Sequence, residues 1–194
     1  MSVDGTMAGI RVIAGKAKGR KLKMVPGEDV RPIGDRVKES LFNIIGPDIQ
    51  GARFLDLFAG TGSVGIEALS RGAARVHFVD ENKRAIFTIR ANLEHTRLQD
   101  EAKVEQRDAF QLLRQKPKME PFDYIFIAPP QYRGMWSKGV VAVDDNPAWL
   151  NPDAWIIAQI DPGEYEDIDF KNLIEFDQRR YGNTLLVFYE WPGS

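Results

Sequence analysis

Cysteine is absent from this chain. That excludes disulfides, thiolate zinc sites and thiol nucleophiles, and it fits a reducing compartment. Histidine is scarce, with His77 in a strand-like run and His95 near a helix end. Neither belongs to a metal-ligand spacing, so both read as structural and no metal is expected. No apolar run approaches the roughly 20 residues of a membrane span. Residues 1–10 contain an acid and no basic stretch, so they do not read as a signal peptide. These absences lead to the expectation of a cytoplasmic protein, and nothing in the sequence demands more than a monomer. What is present is ordinary for a globular domain. The 194 residues are 43% apolar and 28% charged, enough for one domain with a substantial core.

Net charge is only −2, but it is unevenly spread. Between Arg11 and Lys38 the chain carries nine Lys and Arg against Glu28, Asp29 and Asp35. Between Asp161 and Asp177 seven acids face Lys171 alone. A basic end on a slightly acidic protein points to a polyanion met by one face. A solvated basic hairpin would have the same composition.

One stretch organises the rest. Phe54 to Gly65 reads as a buried strand running into a glycine turn, followed by an amphipathic helix from Ser63 to Arg71. Glycines let a ligand approach the backbone, and the helix start offers unpaired N–H groups. Gly60, Gly62 and Gly65 satisfy a dinucleotide spacing on their own. Asp56, four residues before the first glycine, separates the possibilities. A carboxylate there suits the ammonium of S-adenosylmethionine and would repel a pyrophosphate. Read as plain packing, the same residues form a glycine-rich turn with a solvated acid.

Around this stretch the pattern alternates. Ile10 to Ala14 and Arg20 to Val25 are strand-like runs about a basic tip, and Asp35 can cap a helix from Arg36 to about Ile45, ended by Gly46. Strands follow at Arg53–Phe58, Arg75–Val79, Lys103–Gln106, Tyr124–Ala128 and Asp153–Ile160, with helices between them. That implies an α/β fold, a mostly parallel sheet covered on both faces. Leu173–Arg180 and Thr184–Trp191 have no helix between them and read as an antiparallel edge hairpin. Residues 1–50 form a basic hairpin-and-helix extension, and 51–194 the main domain.

Three further positions carry chemistry. Asp80 ends the second strand, eighteen residues past Gly62, where an acid accepts from both ribose hydroxyls; it could equally cap the next helix. Asp108 ends the third strand, beside an adenine if a nucleoside binds, or as a cap. Ala128-Pro129-Pro130-Gln131-Tyr132 ends the fourth, near the point where open α/β sheets hold ligands. Two prolines lack N–H donors and leave carbonyls free to accept, so Pro129 can orient an amine and Tyr132 can stack on a base. Strand termination and rim packing explain the same residues. Trp136 is the tryptophan nearest such a cleft; Trp149, Trp155 and Trp191 read as packing.

Assembled, these residues resemble the RsmD family, methyltransferases acting on N2 of a guanine in small-subunit (16S) ribosomal RNA. The resemblance rests on Arg11-Val12-Ile13-Ala14-Gly15-Lys16 with Gly19-Arg20-Lys21-Leu22, on Arg31-Pro32 with the run Asp35 to Ile44, on Leu55 to Gly62, and on Glu67 to Ala73. It implies a class I methyltransferase fold, a Rossmann-like seven-stranded sheet, with S-adenosyl-L-methionine as cofactor. Asp56, Phe58, Gly60 and Gly62 would line its aminoacyl end, Asp80 would hold the ribose and Asp108 would face the adenine. Arg11, Lys16, Lys18, Arg20, Arg31 and Arg36 would contact RNA phosphates, which fix register while base contacts specify.

One position departs from the pattern. Amino-methylating members of this class begin a D/N-P-P-Y tetrad with an acid or amide that accepts from the target amine. Here that residue is Ala128, and Gln131 moves the aromatic on to Tyr132. Two other readings follow: an RNA-binding module that keeps the fold without catalysis, and an NAD-dependent reductase using the three glycines. Asp56, the basic N-terminus and the absence of length for a substrate domain count against the reductase.

Overall fold

The computed structural model describes residues 9–27 and 32–193. Glu28, Asp29 and Arg31 lie outside them. The elements are α1 (Asp35–Ile45), β1 (Arg53–Leu57), α2 (Ser63–Ser70), β2 (Arg75–Asp80), α3 (Lys83–Thr96), β3 (Ala102–Gln106), α4 (Ala109–Arg114), β4 (Phe122–Ile127), α5 (Met135–Asp145), β5 (Leu150–Ile160), β6 (Ile174–Tyr181) and β7 (Thr184–Trp191). The sheet order is β3-β2-β1-β4-β5-β7-β6. The first five strands pair in parallel, and β7 lies antiparallel between β5 and β6. The expected α/β architecture is thus the observed one, and the chain order reverses between β1 and β4, the switch point of the sheet.

The parallel strands read as near-continuous apolar runs because both faces are covered. Side chains alternate between two cores. Phe54, Phe78, Tyr124 and Phe126 meet α1, α2 and α3 on one face. Leu55, Leu57, Ile125 and Ile127 meet α4 and α5 on the other. The N-terminal segment belongs to the first core, to which Ile10, Val12, Leu22, Leu41 and Phe42 contribute.

Local chemistry corrects three expectations. The basic hairpin is antiparallel but forms only a single bridge, Arg11 to Lys21, instead of two strands. Three backbone bonds still cross it, Val12 N–H to the Arg20 carbonyl (2.9 Å), Gly19 N–H to the Val12 carbonyl (2.8 Å) and Leu22 N–H to the Ile10 carbonyl (2.8 Å), and groups on α2 and α3 take others. Lys16 N–H donates to the Ser70 carbonyl (2.8 Å), Ala17 N–H to Ser70 Oγ (2.9 Å) and Lys23 N–H to Asn92 Oδ1 (2.8 Å). Asp35 does not cap α1; Gly34 occupies that position, and the Asp35 carboxylate accepts from Arg11 Nε at 3.0 Å. Asp80 does not cap α3 either. Asn82 does, its side chain accepting from Arg84 N–H, so the helix starts later than the sequence suggests.

Candidate active site

The carboxyl ends of β1, β2 and β4 converge at the switch point. Beyond β1, Phe58 has φ +58°, Gly60 +56° and Gly62 +78°. Phe58 is one of only four described non-glycine residues with positive φ, and Tyr132, after β4, is another. Such backbone concentrates at sites where surrounding contacts hold it in place. The glycines divide the work. A Cβ on Gly60 would meet nothing within 4 Å, so that side of the turn is open to a ligand. A Cβ on Gly65 would come within 2.3 Å of the Phe78 ring, so Gly65 serves helix–sheet packing.

Two carboxylates fix this turn. Asp80 accepts from Gly60 N–H through Oδ2 (2.9 Å) and from Asn82 N–H through Oδ1 (2.8 Å). Asp56 lies beneath the turn, 2% exposed, and its Oδ2 accepts from Gly65 N–H at 3.0 Å. Burial pushes the Asp56 carboxyl well above the usual carboxylate range; the Gly65 N–H opposes this, and the negative field of Asp80 adds to it. Asp108 caps α4, its Oδ1 accepting from Gln111 N–H at 2.9 Å. It also opens onto a groove of about 1060 Å³ that includes Phe110 and Met135. Phe58 packs edge-on against Phe110 at 5.8 Å. A smaller hollow of about 260 Å³, lined by Asp48, Gln50 and Asp153, lies at the opposite end of the strands.

After β4, Ala128 is half-buried and Pro129 buried. Tyr132 is 68% exposed. Its N–H donates to Glu164 Oε1 (2.6 Å) and its hydroxyl to Asp161, which pushes the phenol upward in pKa. Asp161 and Glu164 close a capping box on the turn after β5. Trp136 is buried beneath that turn, bonded to the Glu164 carbonyl at 3.3 Å, so it supports the cleft and does not line it.

The basic residues fall into two groups. Lys16, Lys18, Arg20 and Arg36 are exposed, as is Arg11, although Arg11 pairs with Asp35. Lys38 is fully buried, donating to the Arg11 carbonyl (2.5 Å) and to Ser63 Oγ (2.9 Å). Buried Glu67 accepts from Ile13 N–H at 2.9 Å. Burial lowers the Lys38 pKa and raises that of Glu67, with the charge of each opposing the other's shift. A Cβ on Gly15 would come within 1.9 Å of the Ser70 carbonyl oxygen, so the hairpin sits directly on α2. These contacts escaped the sequence reading, as did the outer face of α3. There Phe87 is 78% exposed among exposed Lys83, Arg84 and Arg90. The spacing of Ile86, Ile89 and Leu93 toward the core was the available signal, since it leaves Phe87 off the apolar stripe.

His77 is buried against Glu105 at 2.9 Å, with burial depressing its pKa to about 4. Among the described residues no three His, Asp or Glu side chains gather as metal ligands, and no helix is long and apolar enough to cross a membrane.

The family model described as "Conserved hypothetical protein 95" matches residues 10–190. Ribosomal RNA small subunit methyltransferase D of Haemophilus influenzae is 38% identical over 151 residues, 77% of this chain and 78% of that one. The namesake of Escherichia coli K12 is 37% identical over 150 residues, covering 77% and 74%. The chain belongs to this methyltransferase D family. The solved structure of Escherichia coli yhhF, at 32% identity, superposes with a TM-score of 0.83 over 94% of this chain and 98% of that one. An RNA methyltransferase of Salinibacter ruber, solved with S-adenosyl-L-homocysteine, shares the fold at a TM-score of 0.64 and 14% identity, covering 84% of this chain and 95% of that one.

Proposed function

We propose that this protein transfers a methyl group from S-adenosyl-L-methionine to the exocyclic N2 amine of a guanine in small-subunit (16S) ribosomal RNA, working in the cytoplasm as a monomer. The observation that carries the reading is the double duty of α2. Its first turn continues the open glycine loop, and its other end seats the basic hairpin. A cofactor loop and a polyanion grip therefore share one rigid element. The names of the family's relatives support ribosomal RNA as the polyanion.

The residues fit the cofactor. Gly60 leaves open space, and each Asp80 oxygen accepts a single backbone N–H, which leaves lone pairs for ribose hydroxyls. When bound, S-adenosylmethionine supplies an electrophilic methyl group. Asp56, Phe58, Gly60 and Gly62 hold its aminoacyl end, Asp80 the ribose and Asp108 the adenine. Pro129 offers its carbonyl to the target amine beside Ala128, and Tyr132 stacks on the target base. Catalysis is then mostly positioning. Residues 1–50 face the RNA, with Arg11, Lys16, Lys18, Arg20, Arg31 and Arg36 on phosphates, and the Phe87 face of α3 extends that surface. Residues 51–194 form the methyltransferase domain.

Nucleoside mass spectrometry of 16S rRNA from a strain lacking the gene tests this. Loss of one N2-methylguanosine, restored by the gene, is expected. An unchanged nucleoside profile would reject the reading.

A further inference from the structure

The parallel pairing of β4 with β5 ends at Ile127 opposite Ala158. The next residues in register are Ala128 and Gln159. Ala158 and Ile160 point into the core beneath α4 and α5, whereas Ile157 and Leu186, the cross-strand partner of Gln159, belong to the other core. Gln159 therefore projects from the face against which Ala128 packs. The same row continues through β2, where Asp80 follows the Leu57–Val79 pair. Gln159 is half-buried, and among the described residues its amide has no hydrogen-bond partner. That amide is open to solvent and stands one strand from the missing acceptor.

We infer that Gln159 is a catalytic residue: its side-chain carbonyl accepts the hydrogen bond from the target amine that Ala128 cannot. The inference rests on the methyl-transfer reading above. Neighbouring strands lie about 4.8 Å apart, a gap that two methylenes and an amide can cross. The amine has two N–H groups; the Pro129 carbonyl takes one and Gln159 Oε1 the other, turning the nitrogen lone pair toward the methyl. That pair forms the new N–C bond, the C–S pair stays on sulfur, and the nitrogen then releases its proton to water. As a neutral amide, Gln159 accepts a hydrogen bond and no proton. Its NH₂ can also donate to a ring nitrogen beside the amine, the pattern that guanine presents at N2 and N3.

Single-turnover transfer to unmethylated small subunits tests this with wild type, Gln159→Ala, Gln159→Met and the double variant Gln159→Ala/Ala128→Asn. By analogy with removal of one transition-state hydrogen bond, both single variants should be slowed about 10²-fold. Cofactor affinity and Tm should stay unchanged, and the double variant should regain most of the rate. Single variants at wild-type rate would overturn the inference while leaving the function intact. If wild type transfers nothing, the functional reading fails separately, and the ¹⁵N signal of the Gln159 side-chain amide still decides. A shift on adding guanine-containing RNA supports contact with the base, and an unmoved signal overturns it.

Discussion

The two turns that frame the site are built in opposite ways. The β1 turn is closed on itself: Asp56 and Asp80 lie below and beside it, and their carboxylates hold Gly65, Gly60 and Asn82. The β4 turn is held from outside. Its tyrosine is exposed and anchored to Glu164 and Asp161 of the next turn. The first is a preorganised cradle of the kind a small cofactor needs, because ordering it beforehand removes the cost at binding. The second leaves an aromatic ring exposed, tied to the next turn by the Tyr132 N–H and hydroxyl.

Substitutions that separate cradle from anchor would break or sharpen this contrast. The largest effect is expected at Asp56. Asp56→Ala should abolish cofactor binding in calorimetry. Asp56→Asn keeps an acceptor for Gly65 but loses the charge, and should weaken binding by about 10²-fold, the scale of a charged hydrogen bond. The same Asn variant should be more heat-stable than wild type at pH 7. The Asp56 carboxyl is raised in the folded state, so its contribution to stability is full below the unfolded value near 3.8 and is lost as pH rises through the folded value. Melting curves from pH 4 to pH 8 should therefore fall for wild type relative to Asp56→Asn; parallel curves would show that the buried acid costs nothing.

Next comes the seat of the hairpin. Lys38→Met removes two hydrogen bonds from a buried ammonium and should cost about 2–3 kcal/mol in urea unfolding. A loss below about 0.5 kcal/mol would mean that the hairpin does not depend on Lys38. Glu164→Ala, at the anchor, should cost no more than about 1 kcal/mol yet reduce methyl transfer, since it frees the Tyr132 backbone. The smallest effects belong to the hairpin tip. Lys16→Ala and Lys18→Ala should each reduce the salt slope of RNA binding by about 0.7, the expectation for one phosphate contact on a single strand. Arg11→Ala should reduce it less, because Asp35 already neutralises that charge. Equal slopes for all three would place Arg11 on phosphate despite its partner.

What could be read from the sequence was local. The strand–turn–helix around Asp56, the alternation of strands and helices and the terminal hairpin each follow from periodicity and turn residues within a dozen positions. Long-range contacts were hidden. Glu67 and Ser70 lie in an amphipathic helix, and nothing near them reveals that they accept from the backbone of a hairpin more than fifty residues away. Lys38 counted as surface charge because its partners, Arg11 and Ser63, are 27 and 25 residues distant. Gln159 was equally hidden, since its relation to Ala128 exists only in the register of β4 and β5. Asp80 and Asn82 compete as caps within two residues, and the ladder decides: Asp80 is still paired in β2, which leaves the cap to Asn82.

The most direct test incubates purified protein with labelled S-adenosylmethionine and small ribosomal subunits lacking the modification, alongside Asp56→Asn. The account predicts label on the N2 of a single guanine with wild type, and transfer reduced about 10²-fold with the variant at limiting cofactor. Cofactor binding by wild type without transfer to the subunit RNA would contradict it.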